Sequence, residues 1–129
     1  MPLMYLTHVS RATLRAYPDT LFLFGDNEAR VGFGGQAREC RGEPNAIGVA
    51  TKRLPSRSPT AYWSDDDYER CVACIDKDLD PAFKHAMKGG MIACPLSGLG
   101  TGLADLPNRA PRVFAYLKKR ISELAEIRP

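Results

Sequence analysis

Apolar residues fall along this chain in two rhythms, short continuous runs and helically spaced stripes, and the two alternate from end to end. Leu3–Thr7 and Thr20–Phe24 read as strands, with Ser10–Tyr17 as a short helix between them. The second run is apolar enough to be buried on both faces. Gln36–Arg41 reads as another short helix, and Ala46–Ala50 as a strand announced by the turn residues Pro44-Asn45. A loop rich in Pro, Ser and Arg spans Leu54–Ser64. It ends in Ser64-Asp65-Asp66-Asp67, a capping residue with acids in the first turn of a helix. Tyr68, Val72, Ile75 and Leu79 recur on that helix at the spacing of a core-facing stripe, and Gly89-Gly90 closes it before a strand at Met91–Cys94. The last helix is predicted from near Asn108, with Pro111 in its first turn and Phe114, Leu117, Ile121 and Leu124 on one face.

Strands alternating with helices predict a three-layer α/β fold, a mainly parallel mixed sheet flanked by helices. At 129 residues the chain is expected to form one domain, residues 1–129. Ligands of such sheets bind beyond the carboxyl ends of the strands, and two glycine-rich stretches fall there. Gly32-Phe33-Gly34-Gly35 follows the run Leu21–Phe24, and Pro95-Leu96-Ser97-Gly98-Leu99-Gly100-Thr101-Gly102-Leu103 follows Met91–Cys94. Glycine lets backbone N–H groups come close to an anion, and a following helix adds its positive end. Two such loops predict a ligand with more than one phosphate held between them.

Other residues near those loops carry candidate chemistry. Asp26 and Asn27 put a carboxylate and an amide at the end of the buried strand, suited to sugar hydroxyls or a purine edge, or else to a turn closed by Asx hydrogen bonds. Thr51-Lys52-Arg53 follows the next strand. Lys52 there is a phosphate contact, a nucleophile if burial lowers its pKa, or a solvated surface lysine, and Arg53 is a forked phosphate donor. Asp105, just before the last helix, is a first-turn acid, a general acid or base, or a partner of a ribose hydroxyl. Phe33, Tyr62 and Trp63 offer a stacking surface for a base, with Trp63 equally suited to anchoring the long loop.

The net charge of +3 agrees with an anionic ligand without demanding nucleic acid. No apolar run approaches the roughly 20 residues that span a bilayer, and the N-terminus lacks the pattern of a signal peptide, which sets the expectation of a cytoplasmic protein with no membrane partner. The four cysteines are then expected as thiols. Cys71-x-x-Cys74 has no second pair at metal-ligand spacing, so core packing is the first reading of it and metal or redox chemistry the second.

Taken in order, Gly25-Asp26-Asn27, Gly32-Phe33-Gly34-Gly35-Gln36-Ala37, the strand after them, and Pro95 through Gly102 before a terminal helix resemble the macrodomain superfamily of ADP-ribose binders. The resemblance implies that Gly32 to Ala37 and Pro95, Ser97, Gly98, Leu99, Gly100, Thr101 and Gly102 clasp a diphosphate and its distal ribose, with Asp26 and Asn27 orienting the sugar. Thr51-Lys52-Arg53 is similar to the T-K-[KR] motif of members that remove terminal ADP-ribose from protein or DNA, including antitoxins of DNA-modifying toxins. It implies Lys52 as nucleophile or ribose-positioning group and Asp105 as its partner. Aligned on Gly100-Thr101-Gly102-Leu103, however, Ala104 stands where that acid belongs. Familiar members also end in a further strand, so a trimmed sheet is expected.

The implied function is binding of ADP-ribose or an ADP-ribosylated protein or nucleic acid, with hydrolysis of the ADP-ribosyl linkage, and needs no cofactor or metal. A non-catalytic ADP-ribose or nucleotide-binding module is the alternative. A nucleic-acid-binding protein using Arg30, Arg38, Arg41, Lys52, Arg53 and Arg57 is a third reading. Loops that a neighbour could complete are compatible with a homodimer.

Overall fold

The computed structural model describes residues 2–129. Strands β1 (Leu3–Leu6), β2 (Leu21–Asn27), β3 (Ala46–Lys52) and β4 (Ile92–Pro95) alternate with helices α1 (Arg11–Ala16), α2 (Ala37–Cys40), α3 (Tyr68–Met87), α4 (Leu106–Arg109) and α5 (Pro111–Ala125). Among the described residues these strands form one sheet in the order β1-β4-β2-β3, and every pairing is parallel. The protein is therefore the α/β fold that the alternation predicts.

Successive side chains of a strand point to opposite faces, which splits the core in two. Phe22, Phe24 and Ala93 pack against Leu14 of α1 and Ala37 and Cys40 of α2. Leu23, Val49, Ile92 and Cys94 point the other way, onto Cys71, Ile75 and Leu79 of α3 and Val113, Leu117 and Ile121 of α5. Direction of travel across the sheet decides which face a helix covers. The chain moves from β1 to β2 to β3 in one direction with α1 and α2 on one face, then returns to β4 with α3 on the other. The loops leaving β2 and β4 consequently part to opposite faces and open a crevice between adjacent strands, the switch point at which such sheets bind ligands.

Several boundaries depart from the sequence reading. Strand β2 runs through Asp26 and Asn27, which are therefore sheet residues and not a turn, and β3 runs on through Thr51 and Lys52. Pairing of Asp26 with Ala50 and of Asn27 with Lys52, with a register shift between the two, holds these polar residues in the ladder. The core stripe of α3 is Cys71, Ile75, Leu79, Ala82 and Ala86, whereas Val72 is only half-buried, as is Tyr68. The Tyr68 ring packs edge-on against Tyr116 of α5 with Arg112 over it, at the margin of the core, just after the short helix Asp65–Asp67 that the Ser64 hydroxyl caps at 3.2 Å. The last helix is two: Pro111 has no N–H to give and disfavours helical backbone at Ala110 (φ −146°), so the chain breaks between α4 and α5. Phe114 lies half-buried beside the stripe that Val113 leads.

Polar groups fasten the periphery. Asn45 donates to the carbonyls of Leu14 (2.9 Å), Tyr17 (3.0 Å) and Thr20 (3.0 Å), closing the turn from α1 to β2. At the edge strand β3, Asp78 of α3 accepts the Ala50 N–H at 2.8 Å and Arg30 donates to the Gly48 carbonyl at 3.2 Å, so helix and loop cover backbone groups an edge would leave open. Cys71 is fully buried and its thiol is pushed up to about 11 by burial, while Cys74 is half-buried beside Asp78. The C-x-x-C pair thus belongs to the packing of α3. No helix among the described residues is long and apolar enough to cross a membrane.

Candidate functional site

A cavity of about 180 Å³ lies at the carboxyl ends of β2 and β3, beside the loop that leaves β4. Asp26, Asn27, Thr51 and Lys52 line it from the strand ends, Gly32, Gly34, Gly35, Gln36 and Ala37 from the first glycine loop, and Gly100 and Gly102 from the second. Residues separated by half the chain thus meet at one place. Val31, Pro55, Leu103 and Ala104 complete the wall together with Arg41.

The backbone of both loops is arranged for acceptors. Gly32 (φ +97°), Gly35 (φ +56°), Gly98 (φ +91°) and Gly100 (φ +78°) occupy the left-handed region. At Gly100 space is also short, because a Cβ would come within 3.0 Å of Leu106 and 3.1 Å of Thr51. Carbonyls of the first loop turn inward, to Arg41 Nε (Gly32, 2.7 Å) and Asn27 Nδ2 (Val31, 2.8 Å). Among the described residues no protein acceptor takes the N–H groups of Gly34, Gly35, Gly100 or Gly102. Such free amides beside a cavity form a cradle for an anion.

The two ionised residues at the strand ends have opposite surroundings. Asp26 is 7% exposed and is held by Arg41, whose guanidinium grips both carboxylate oxygens, with Arg30 at 3.7 Å and the Asn27 N–H at 2.8 Å. Its other side rests on Gly48, where any Cβ would collide with it. Lys52 is 8% exposed and no carboxylate lies in ion-pair range among the described residues. Its Nζ donates to the Ser56 carbonyl at 2.9 Å and sits 4.3 Å from the centre of the Tyr62 ring. Burial, and then the charges of Arg109 and Arg57, lower the Lys52 pKa from its ordinary value. Next to it, Asn27 Oδ1 is buried without a hydrogen-bond donor. A native protein rarely leaves such an acceptor unmet.

Other candidates from the sequence lie outside the cavity. Asp105 sits before α4 in a left-handed conformation (φ 49°), accepts from Asn108 at 2.7 Å and lies 3.6 Å from Arg109; it is Ala104 that faces the cavity. Its path to Lys52 runs through Arg109, which stacks on the same Tyr62 ring at 3.6 Å. Phe33 is 62% exposed on the rim. Arg53 is turned to the Thr60 carbonyl at 2.8 Å. Pro95 and Ser97 line an adjoining cavity of about 310 Å³ with Thr7 and His8, reached past Gly35 and Gln36. Gly98, Leu99 and Thr101 line another between β1 and α5. Trp63 is buried and donates to Glu28 at 2.9 Å, which makes it the anchor of the long loop. Burial alone would raise the Glu28 pKa, but bonds from Trp63 and from Arg70 at 2.6 Å hold it below its ordinary value.

Arg41 enters the sequence reading only among the basic residues of the nucleic-acid alternative, and its place in this cavity is what that reading misses. As one arginine among many on a short helix it carries no signal, and only its reach back to Asp26, Val31 and Gly32 reveals it as the organiser of the first loop.

A family model spans residues 4–120, from β1 into α5 and across both glycine loops. The chain belongs to DUF7831, a family of unknown function. Its matched span includes Asn27, Gln36, Arg41 and Lys52. No curated protein and no solved structure matches the chain.

Proposed function

We propose that this protein binds ADP-ribose, free or attached to a protein or nucleic acid, between its two glycine loops and hydrolyses the ADP-ribosyl linkage, as the resemblance to macrodomains implies. The observation that carries the proposal is the pairing, in one cavity, of a buried lysine without a counter-ion and a buried amide oxygen without a donor. Phosphates supply the negative charge such a cavity lacks, and a ribose hydroxyl supplies the donor. Free amides of Gly34, Gly35, Gly100 and Gly102 hold the diphosphate.

Lowering of the Lys52 pKa increases the fraction of neutral amine. That amine attacks the anomeric carbon: a C–N bond forms, and the carrier leaves with the electrons of its own bond. The carrier takes the proton released at nitrogen. Water then attacks the same carbon: its oxygen forms the new C–O bond, the C–N bond breaks, and the proton water gives up returns to nitrogen to restore the amine. Asp105 enters this scheme only by holding Arg109 against Tyr62.

The second reading is a module that binds without turnover, and one observation favours it. Asp26 is the carboxylate lining the cavity, and both of its oxygens are already taken by the Arg41 guanidinium. Calorimetric titration with ADP-ribose, with AMP and NAD as controls, tests the shared part of both readings. Selective ADP-ribose binding supports them, and no binding at millimolar ligand rejects them. Incubation with ADP-ribosylated protein and DNA then separates the two. Hydrolysis lost at least about a hundredfold in Lys52→Ala at saturating substrate, on top of the roughly tenfold fall in affinity that loss of its charge brings, is the expected result for an enzyme. Binding without turnover in the wild type leaves the module.

A further inference from the structure

We propose that Gln36 is a positioning residue that fixes the spacing of the two glycine loops and thereby selects a ligand with two linked phosphates over one with a single phosphate. The inference rests on the reading of the cavity as a phosphate site.

Loops leaving β2 and β4 part to opposite faces of the sheet, and among the described residues no backbone hydrogen bond joins them. The side-chain amide of Gln36 makes the connection. Its Oε1 accepts the Gly25 N–H of β2 at 2.6 Å, and its Nε2 donates to the Gly98 carbonyl of the second loop at 3.0 Å. Gln36 itself closes the first loop, one residue before α2. One half-buried group thus ties first loop, strand and second loop together.

The chemistry of the tie is specific. Gly25 offers a donor and Gly98 an acceptor, so the bridging group must accept at one end and donate at the other, as an uncharged amide does. A carboxylate of the same length has no proton for Gly98, and asparagine is one methylene short. Gly25 fits the same requirement: a Cβ there would lie 3.3 Å from Gln36 Oε1 and 3.7 Å from the Gly100 nitrogen. Free amides line the cavity on both sides of the tie, Gly34 and Gly35 on one and Gly100 and Gly102 on the other. Either set alone can hold one phosphate. A diphosphate needs both at a fixed separation.

The test is calorimetric titration of wild type, Gln36→Ala and Gln36→Met, both uncharged, with pyrophosphate and with inorganic phosphate. Loss of the two hydrogen bonds is expected to weaken pyrophosphate about tenfold in both variants and to leave phosphate within twofold. Equal weakening of the two probes, or none, overturns the proposal. Amide hydrogen exchange without ligand examines the tie separately from the site. Exchange at Gly25 should quicken at least about tenfold in Gln36→Ala while the amides of Leu23 and Ile92 keep their protection; unchanged exchange at Gly25 overturns the tie even if ADP-ribose binds. A wild type that binds neither pyrophosphate nor ADP-ribose overturns the selection together with the proposed function, and exchange at Gly25 still reports whether the tie exists. Should Gln36→Ala fail to fold, Gln36→Met preserves length without adding charge and carries the same comparison.

Discussion

Asp26 and Lys52 stand near one another at the ends of neighbouring strands, equally buried, and the fold treats them in opposite ways. Asp26 meets two arginines and a backbone N–H, whereas Lys52 meets a carbonyl, the face of an aromatic ring and two like charges, and burial followed by those charges lowers its pKa. Removing a carboxylate from water is tolerable when its partners are in place, and Asp26 returns the favour by fixing Arg41 and through it the carbonyls of the first loop. At Lys52 a carbonyl and a ring face offset part of the cost of a buried cation, but no carboxylate among the described residues offsets the rest. The difference teaches that one strand end is built to hold the loops, while the other keeps a basic group without a carboxylate partner among the described residues.

The largest effect should come from breaking the compensated side. Asp26→Asn leaves Arg41 half-buried without its charge partner and should destabilise the fold by about 3 kcal/mol in chemical denaturation. A loss below about 1 kcal/mol would make Asp26 no more structural than Lys52. Next, Asn27→Asp gives Lys52 a carboxylate at its register partner and turns the second residue into a copy of the first. ADP-ribose affinity should fall about tenfold through repulsion of the phosphates, read by calorimetry. Unchanged affinity would mean that Lys52 does not set the charge of the cavity.

Lys52→Met is a milder probe of stability. Removal of an uncompensated charge and of its bond to Ser56 act in opposite directions, so the thermal midpoint should move by the equivalent of less than about 1 kcal/mol although hydrolysis is lost. A loss of 3 kcal/mol would assign Lys52 to the scaffold. The smallest effect is a pH dependence. Because the folded-state pKa of Lys52 is depressed, the unfolded chain binds more protons between that pKa and the unfolded value of about 10.4. The stability of wild type relative to Lys52→Met should therefore rise with pH through that window and level off above it. A flat difference would place Lys52 among ordinary solvated lysines.

Much of the architecture is legible in the chain. The central strands are legible as apolar runs, because sheet residues buried on both faces leave no room for polar interruption, as in Phe22-Leu23-Phe24, while the edge strand β1 is apolar although Tyr5 is exposed. The loops were visible because a left-handed backbone at Gly32, Gly98 and Gly100 tolerates little else. Boundaries failed where tertiary contacts overruled local preference. Asp26 and Asn27 look like a strand end, yet Arg41 and the ladder to β3 keep them in the sheet. Asp105 looks as well placed as Lys52, yet one residue of offset turns it to Asn108 and Arg109 and gives the cavity Ala104.

By itself, the sequence determined the quantities that depend on near neighbours: the alternation of elements, the helix starts at Ser10 and Ser64, and the glycines that permit two loops. Only the tertiary structure decided which charges are answered and which are not, and which side chain ties one loop to the other. The physical reason is range. Backbone conformation and hydrophobic period are properties of a few consecutive residues, but the compensation of Asp26, the exposure of Lys52 to a cavity and the bridge made by Gln36 are relations between strands that the chain reaches only after it has folded.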